Sequence, residues 1–215
     1  MPPAMPPLAP AAAMEVHQAG SPRDVARLEA RLQAATRAYE RDRYPEALSN
    51  LRELARAYPA VLSVRELYGL TLYRVGRWRE AARELRQVAE LSGSVDQHPV
   101  IADCERALGN HGAVTELWAE LRQAGAGSDV LTEGRLVMAG SLADRGRIAE
   151  AIGLLQPAAA RAIRKPLERH LRQWYALADL YERAGDVPRA RELFRKVVEA
   201  DPELSDAAER LTALR

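Results

Sequence analysis

The chain has a single cysteine, Cys104, so no internal disulfide can form and the fold must be held by packing. Nothing in its residue usage points to an oxidising compartment, and the chain reads as cytoplasmic. Neither sign of charge is in excess: 31 Lys and Arg stand against 30 Asp and Glu, a formal net charge of +1. That balance removes any general electrostatic pull toward nucleic acid or an anionic membrane, leaving only a local patch to do such work. Apolar runs of about 18 residues are missing, so no membrane-spanning helix is expected. Aromatic residues make up 5% of the chain, and the core must be built mainly of Leu, Ala and Val. Alternating runs of β-branched residues are absent as well, which argues against strands.

The motifs of common chemistries are also missing. The sequence contains no G-x-x-x-x-G-K-[ST], no G-x-G-x-x-G, no H-E-x-x-H and no cysteine pair for zinc. No catalytic constellation, cofactor or metal site is therefore expected. The nearest approach to a ligand cluster is His98 with Asp103, Cys104 and Glu105. His98 and Cys104 fall six residues apart, on different faces of a helix, and a buried structural thiol is the simpler expectation.

What is present is a repeated helical grammar. Prolines at 2, 3, 6, 7 and 10 interrupt any apolar run in residues 1–20, which read as a disordered Pro/Ala-rich tail without the features of a signal peptide. Ser21-Pro22-Arg23-Asp24 then has the form of a helix start, with Ser21 as N-cap. Leu28, Leu32, Ala35 and Tyr39 follow at helical spacing, Asp42-Arg43 interrupts, and Tyr44-Pro45-Glu46-Ala47 opens a second helix that Pro59 closes.

Equivalent pairs follow around Gly69 and Ala81, Ala102 and Val114, Met138-Ala139 and Ala151, and Trp174 and Ala190. His98-Pro99 delays the first helix of the third pair, since proline fits only the first turn. Ala159 to Lys165 is expected to prolong the second helix of the fourth pair, and Leu204 to Arg215 to form a final amphipathic helix.

The fullest copy is LRQWYALADLYERAGDVPRARELFRKVVEADPE, from Leu171 to Glu203. Trp174, Leu177, Ala178, Tyr181, Ala190, Phe194 and Pro202 resemble the tetratricopeptide (TPR) pattern W-x2-L-G-x2-Y…A-x3-F…P, with Ala178 in place of the glycine. The resemblance implies an all-α, right-handed α-solenoid of about five TPR-like helix-turn-helix repeats with a C-terminal capping helix. The expected organisation is one domain over 21–215, with repeats at about 28–61, 62–94, 95–128, 129–166 and 167–203 and a cap at 204–215. The Ala- and Arg-rich composition and the stretch HPVIADCERALGN also resemble actinobacterial TPR proteins to which no activity is assigned.

For function, the resemblance implies a non-catalytic scaffold or adaptor that binds a protein or peptide partner in a concave groove lined by first helices. Carried over by register, the groove positions are Thr36, Tyr39 and Glu40; Glu66, Leu70 and Tyr73; Asp103 and Arg106; Leu136, Gly140 and Ala143; and Tyr175, Asp179 and Glu182. Their mixture of Tyr, Leu and acids suits a peptide or a partner helix. The Lys/Asn pattern with which chaperone adaptors of the family grip a C-terminal carboxylate is absent, since Leu32 with Thr36 and Glu66 with Leu70 occupy the equivalent places.

A competing expectation is a site for RNA or a phosphate ligand on the basic segment Arg161, Arg164, Lys165, Arg169 and Arg172, which holds only Glu168 as an opposing charge. Without such a ligand the segment is a solvated helix junction.

Overall fold

The structure is a computed structural model that describes residues 22–159 and 163–214, with side chains from residue 26 onward. The Ser21 cap and the tail expected over residues 1–20 fall outside the described residues. Among those described, every regular element is a helix: α1 (Pro22–Glu40), α2 (Tyr44–Ala57), α3 (Leu62–Arg74), α4 (Trp78–Ser92), α5 (His98–Ala107), α6 (His111–Gln123), α7 (Ser128–Asp144), α8 (Ile148–Ala159), α9 (Glu168–Arg183), α10 (Val187–Ala200) and α11 (Ala207–Ala213). No helix among them is long and apolar enough to cross a membrane.

α1/α2, α3/α4, α7/α8 and α9/α10 pack as hairpin pairs, and the turn that ends α1, α3, α5, α7 and α9 is the same each time. A residue with positive φ ends the first helix: Asp42 in the first pair, then Gly76, Gly109, Gly146 and Gly185. The next N–H reaches back five residues to a carbonyl, as in Arg77 to Leu72 (2.9 Å), Asn110 to Glu105 (2.8 Å) and Asp186 to Tyr181 (2.8 Å). This is the Schellman closure, in which a left-handed residue lets the chain satisfy helix carbonyls while reversing direction. In the first pair Asp42 adopts φ 57° without being glycine, one of the few residue types that tolerates that region.

The chain divides into two compact units, one ending at Ala113 and the other beginning at Val114, so the division falls inside α6. In the first unit each helix packs on the next through α5, and α1 also touches α3, as α3 touches α5. Leu28, Leu32, Ala35, Ala47, Leu51, Leu54, Leu67, Leu85 and Ile101 fill its interior. Gly69 is a packing residue here: a Cβ at this position would lie 2.8 Å from the Leu85 side chain, so its absence lets α3 and α4 approach.

In the second unit α7 through α11 pack in order, and α7 also touches α9. Ala139, Leu142, Ala151, Leu155, Trp174, Leu177, Ala178, Tyr181, Ala190, Phe194, Val197 and Ala207 form one continuous core. Neighbouring pairs thus bury what a single pair would leave exposed. Gly134, not singled out by the repeat spacing, proves to be a second close-approach residue. A Cβ there would stand 2.4 Å from Leu121 Cδ1 and 3.4 Å from Trp118.

Two element ends differ from the spacing-based expectation. α8 is described through Ala159 and residues 163–165 are not helical, so the second helix of the fourth pair is not prolonged to Lys165. Pro157 already removes one ladder donor from α8, and Pro166 disfavours helical geometry at Lys165. The final helix is also shorter than Leu204 to Arg215: helix geometry runs only from Ala207 to Ala213, after a turn in which Ser205 has φ 55°.

Candidate functional site

In the first unit the candidate positions divide between packing and surface. Leu70 is 1% exposed and Tyr73 3% exposed, so both contribute to the body of the unit and offer no open surface. Tyr73 donates its hydroxyl to Asp103 Oδ2 at 2.7 Å, and Asp103 Oδ1 accepts from Arg106 Nη1 at 3.0 Å. A first-helix position on α3 is thereby bonded to one on α5, which a second position on α5 steadies. Burial, then the Asp103 charge beside it, raises the Tyr73 pKa far above the ordinary phenol value, so the hydroxyl remains a donor.

Glu66 accepts from the Gln97 side chain, and Thr36 turns back to the Leu32 carbonyl at 3.0 Å. Tyr39 is half-buried with its ring edge-on to Tyr44 at 5.5 Å. Its hydroxyl has no hydrogen-bond partner among the described residues, and burial pushes its pKa up to about 12. Glu40 is exposed.

In the second unit Leu136 is half-buried against the core, Ala143 is buried and Gly140 lies between them on α7. Tyr175, Asp179 and Glu182 lie along one face of α9 at i, i+4 and i+7, and all three converge on one side chain from α11, Arg210. Arg210 Nη2 donates to Asp179 Oδ1 at 2.8 Å and to Glu182 Oε2 at 2.6 Å. Its Nε donates to Glu182 Oε2 at 3.1 Å, and Nη1 to the Tyr175 hydroxyl at 3.2 Å.

Beneath the guanidinium lies an aromatic floor, with the Phe194 ring centroid 4.7 Å and the Tyr175 centroid 5.6 Å from its central carbon. Cations are drawn to such ring faces, most strongly where water is partly excluded. Tyr175 in turn donates to Asp206 Oδ1 at 2.5 Å, which fixes the turn before α11. Desolvation works against the charged form of Arg210, but the bonds to Tyr175, Asp179 and Glu182 more than offset it and raise its pKa. Repeat spacing placed the three α9 residues on one face without revealing Arg210. The missed signal was an arginine one turn into the final helix opposite two acids and a tyrosine.

The basic segment does not present one cationic face. Arg161 lies outside the described residues. Arg164 and Lys165 are exposed in the connection before α9. Arg169 pairs with Asp129 on α7 at 2.8 Å. Arg172 is turned inward, 6% exposed, with Nε and Nη2 each 2.8 Å from a Glu133 carboxylate oxygen. The two-pronged Arg172 contact is the geometry in which guanidinium and carboxylate bind best. Its charge serves to join α9 to α7.

His98 and Cys104 are both buried in α5, and no group of three or more His, Cys, Asp or Glu suited to a metal occurs among the described residues. Burial, and then the neighbouring Asp103 and Glu105 charges, pushes the Cys104 thiol up to about 12, a structural rather than a nucleophilic cysteine.

The tetratricopeptide repeat family model matches residues 32–96 and 136–205, together more than half of the chain. The chain belongs to the tetratricopeptide repeat family. Solved structures with the same fold include a thermophilic TPR protein of Thermus thermophilus, with 18% identity, a TM-score of 0.65 and coverage of 87% of this chain and 98% of that one. The nearly identical TPR-like repeats of a Podosopora anserina kinesin light chain match with 19% identity, a TM-score of 0.63 and coverage of 83% and 98%. MamA of AMB-1 matches with 18% identity, a TM-score of 0.54 and coverage of 86% and 97%. No curated protein matches the sequence.

Proposed function

We propose that the chain is a non-catalytic scaffold that binds a protein or peptide partner on the faces of its first helices. The observation that carries this reading is the seat on α9. There Tyr175, Asp179 and Glu182 converge to hold a side chain presented by another helix, with hydrogen-bond, charge and aromatic contacts together. Tyr and Arg contacts of this kind dominate the binding energy of protein interfaces. Helix pairs stacked within each unit supply a frame for them, which lowers the ordering cost of binding.

The alternative, RNA or phosphate-ligand binding through residues 161–172, keeps only Arg164 and Lys165 as exposed described cations, because Arg169 and Arg172 face Asp129 and Glu133. The bacterial, actinobacterial origin rests on composition and the stretch HPVIADCERALGN.

Site-directed photo-crosslinking tests the scaffold reading. A photoreactive side chain at Leu136 on first helix α7 should trap the partner, and one at Arg195 on second helix α10 should not. Trapping from Arg195 alone would refute first-helix recognition. Binding by the alternative route would instead weaken steeply with salt.

A further inference from the structure

We propose that Tyr175, Asp179 and Glu182 form an arginine-binding subsite that the chain fills with its own Arg210, and that a partner segment carrying an arginine docks there by displacing α11. This deepens the scaffold reading and rests on it, since it names the partner chemistry of the α9 face.

The seat is matched to a guanidinium. All three of its nitrogens donate at 2.6–3.2 Å to Glu182, Asp179 and Tyr175, and Phe194 underlies its plane at 4.7 Å. A lysine ammonium gathers its three donors on one nitrogen and lacks the planar fork that here spans Glu182, Asp179 and Tyr175 while lying on the ring. The seat therefore selects arginine over the other cation. With Arg210 withdrawn, Asp179 and Glu182 would leave an unneutralised pair of carboxylates beside two aromatic rings. Among the described residues Arg183, 3.8 Å from Asp179, remains as a nearby cation.

Apart from that side chain the occupant is held by Ala207 and by Leu204, Leu211 and Leu214, which are only partly buried where they pack on the core. α11 spans 7 residues and Ala207 is its only buried member. An isolated helix of that length is unstable in water, so α11 depends on its docking contacts. Asp206, at its N-cap, makes no side-chain cap bond to the helix and instead accepts from Tyr175. Arg210 is thus the main polar anchor of an element that cannot stand alone.

Tethering gives Arg210 an effective concentration on the order of millimolar, so a partner must bring its arginine together with further contacts to compete. A partner's apparent affinity then falls by the fraction of time the seat is open, and α11 acts as a built-in competitor.

The probe is a labelled peptide, LSDAAERLTALR, which repeats residues 204–215 and is offered in trans to the full-length chain. Arg210→Ala should bind it at least roughly tenfold more tightly than the wild-type chain, because its own competitor is removed. Binding should vanish for a peptide with Ala in place of its internal arginine, and for Arg210→Ala combined with Asp179→Asn and Glu182→Gln. Equal affinity of the wild-type and Arg210→Ala chains, or binding that survives loss of the two acids, would overturn the proposal.

Amide exchange on the unmutated protein guards against a folding defect in the variants. The α11 amides should exchange at least about a hundredfold faster than those of α9. Matched protection of the two helices would equally overturn the proposal. If these arms fail while crosslinking from Leu136 succeeds, only the arginine subsite falls and the scaffold reading stands.

Discussion

Two junctions between successive first helices solve the same problem with different partners. In the first unit Tyr73 on α3 bonds to Asp103 on α5, steadied by Arg106. In the second unit Asp179 and Glu182 on α9 bond to Arg210 on α11. Tyr73 and Glu182 hold the same register position, four residues after Gly69 and Ala178 respectively.

The first junction is buried and joins α3 to a helix whose His98, Val100, Ile101 and Cys104 are themselves in the interior. The second is closed by a helix with one buried residue and an arginine side chain that is 20% exposed. Where the neighbour is anchored by its own core the junction is structural. Where the neighbour is a single short helix, the same position becomes a surface that another molecule can compete for.

The largest expected effect falls on the core beneath the second junction. Trp174 is 7% exposed within that core, and Trp174→Ala should lower unfolding free energy by about 3–5 kcal/mol in denaturant melts. Ala190, fully buried where α10 meets α9, should cost about 1–3 kcal/mol as Ala190→Leu through overpacking. Wild-type-like melting of both variants would show that the register is wrong.

Tyr73→Phe sharpens the contrast by removing one hydroxyl from the buried junction, with an expected loss of about 1–2 kcal/mol of global stability. Arg210→Ala should cost less than about 1 kcal/mol globally, since its charge partners are solvent-accessible, while exposing α11 to faster amide exchange. A larger global loss from Arg210→Ala than from Tyr73→Phe would reverse the comparison.

The smallest effect is one of pH. Burial opposes the Glu105 charge, but bonds from Arg86 at 2.7 Å and Asn110 at 2.7 Å outweigh it and hold the carboxyl below its ordinary pKa. The unfolded chain then binds the proton more readily, so this contribution is complete above the ordinary glutamate value. It is lost as pH falls through the lower folded value. Glu105→Gln should flatten that part of the acid limb in stability measured against pH.

Much of the architecture was legible in the sequence. The paired helices, the interruption at Asp42-Arg43 and the delayed start at His98 follow from helical periodicity and punctuation, which act within one or two turns. The site was legible only in part. Spacing put Tyr175, Asp179 and Glu182 on one face, yet it also nominated Leu70, which lies in the interior, and Arg172, whose charge meets Glu133. The ends of α8 and α11 were overextended because apolar spacing continued to residues 163–165, which are not helical, and back before Ser205, which has φ 55°.

By itself the sequence determined that this chain would fold as paired helices and about where each pair would lie. Those are local properties, carried by the 3.6-residue period and by single residues at turns. The tertiary structure alone decided which charges meet. Arg210 reaches residues 28 to 35 positions away and Arg172 reaches one 39 away, and nothing in a linear period says which arginine will find which acid. The α9 face is a candidate binding surface because folding set Arg210 against it.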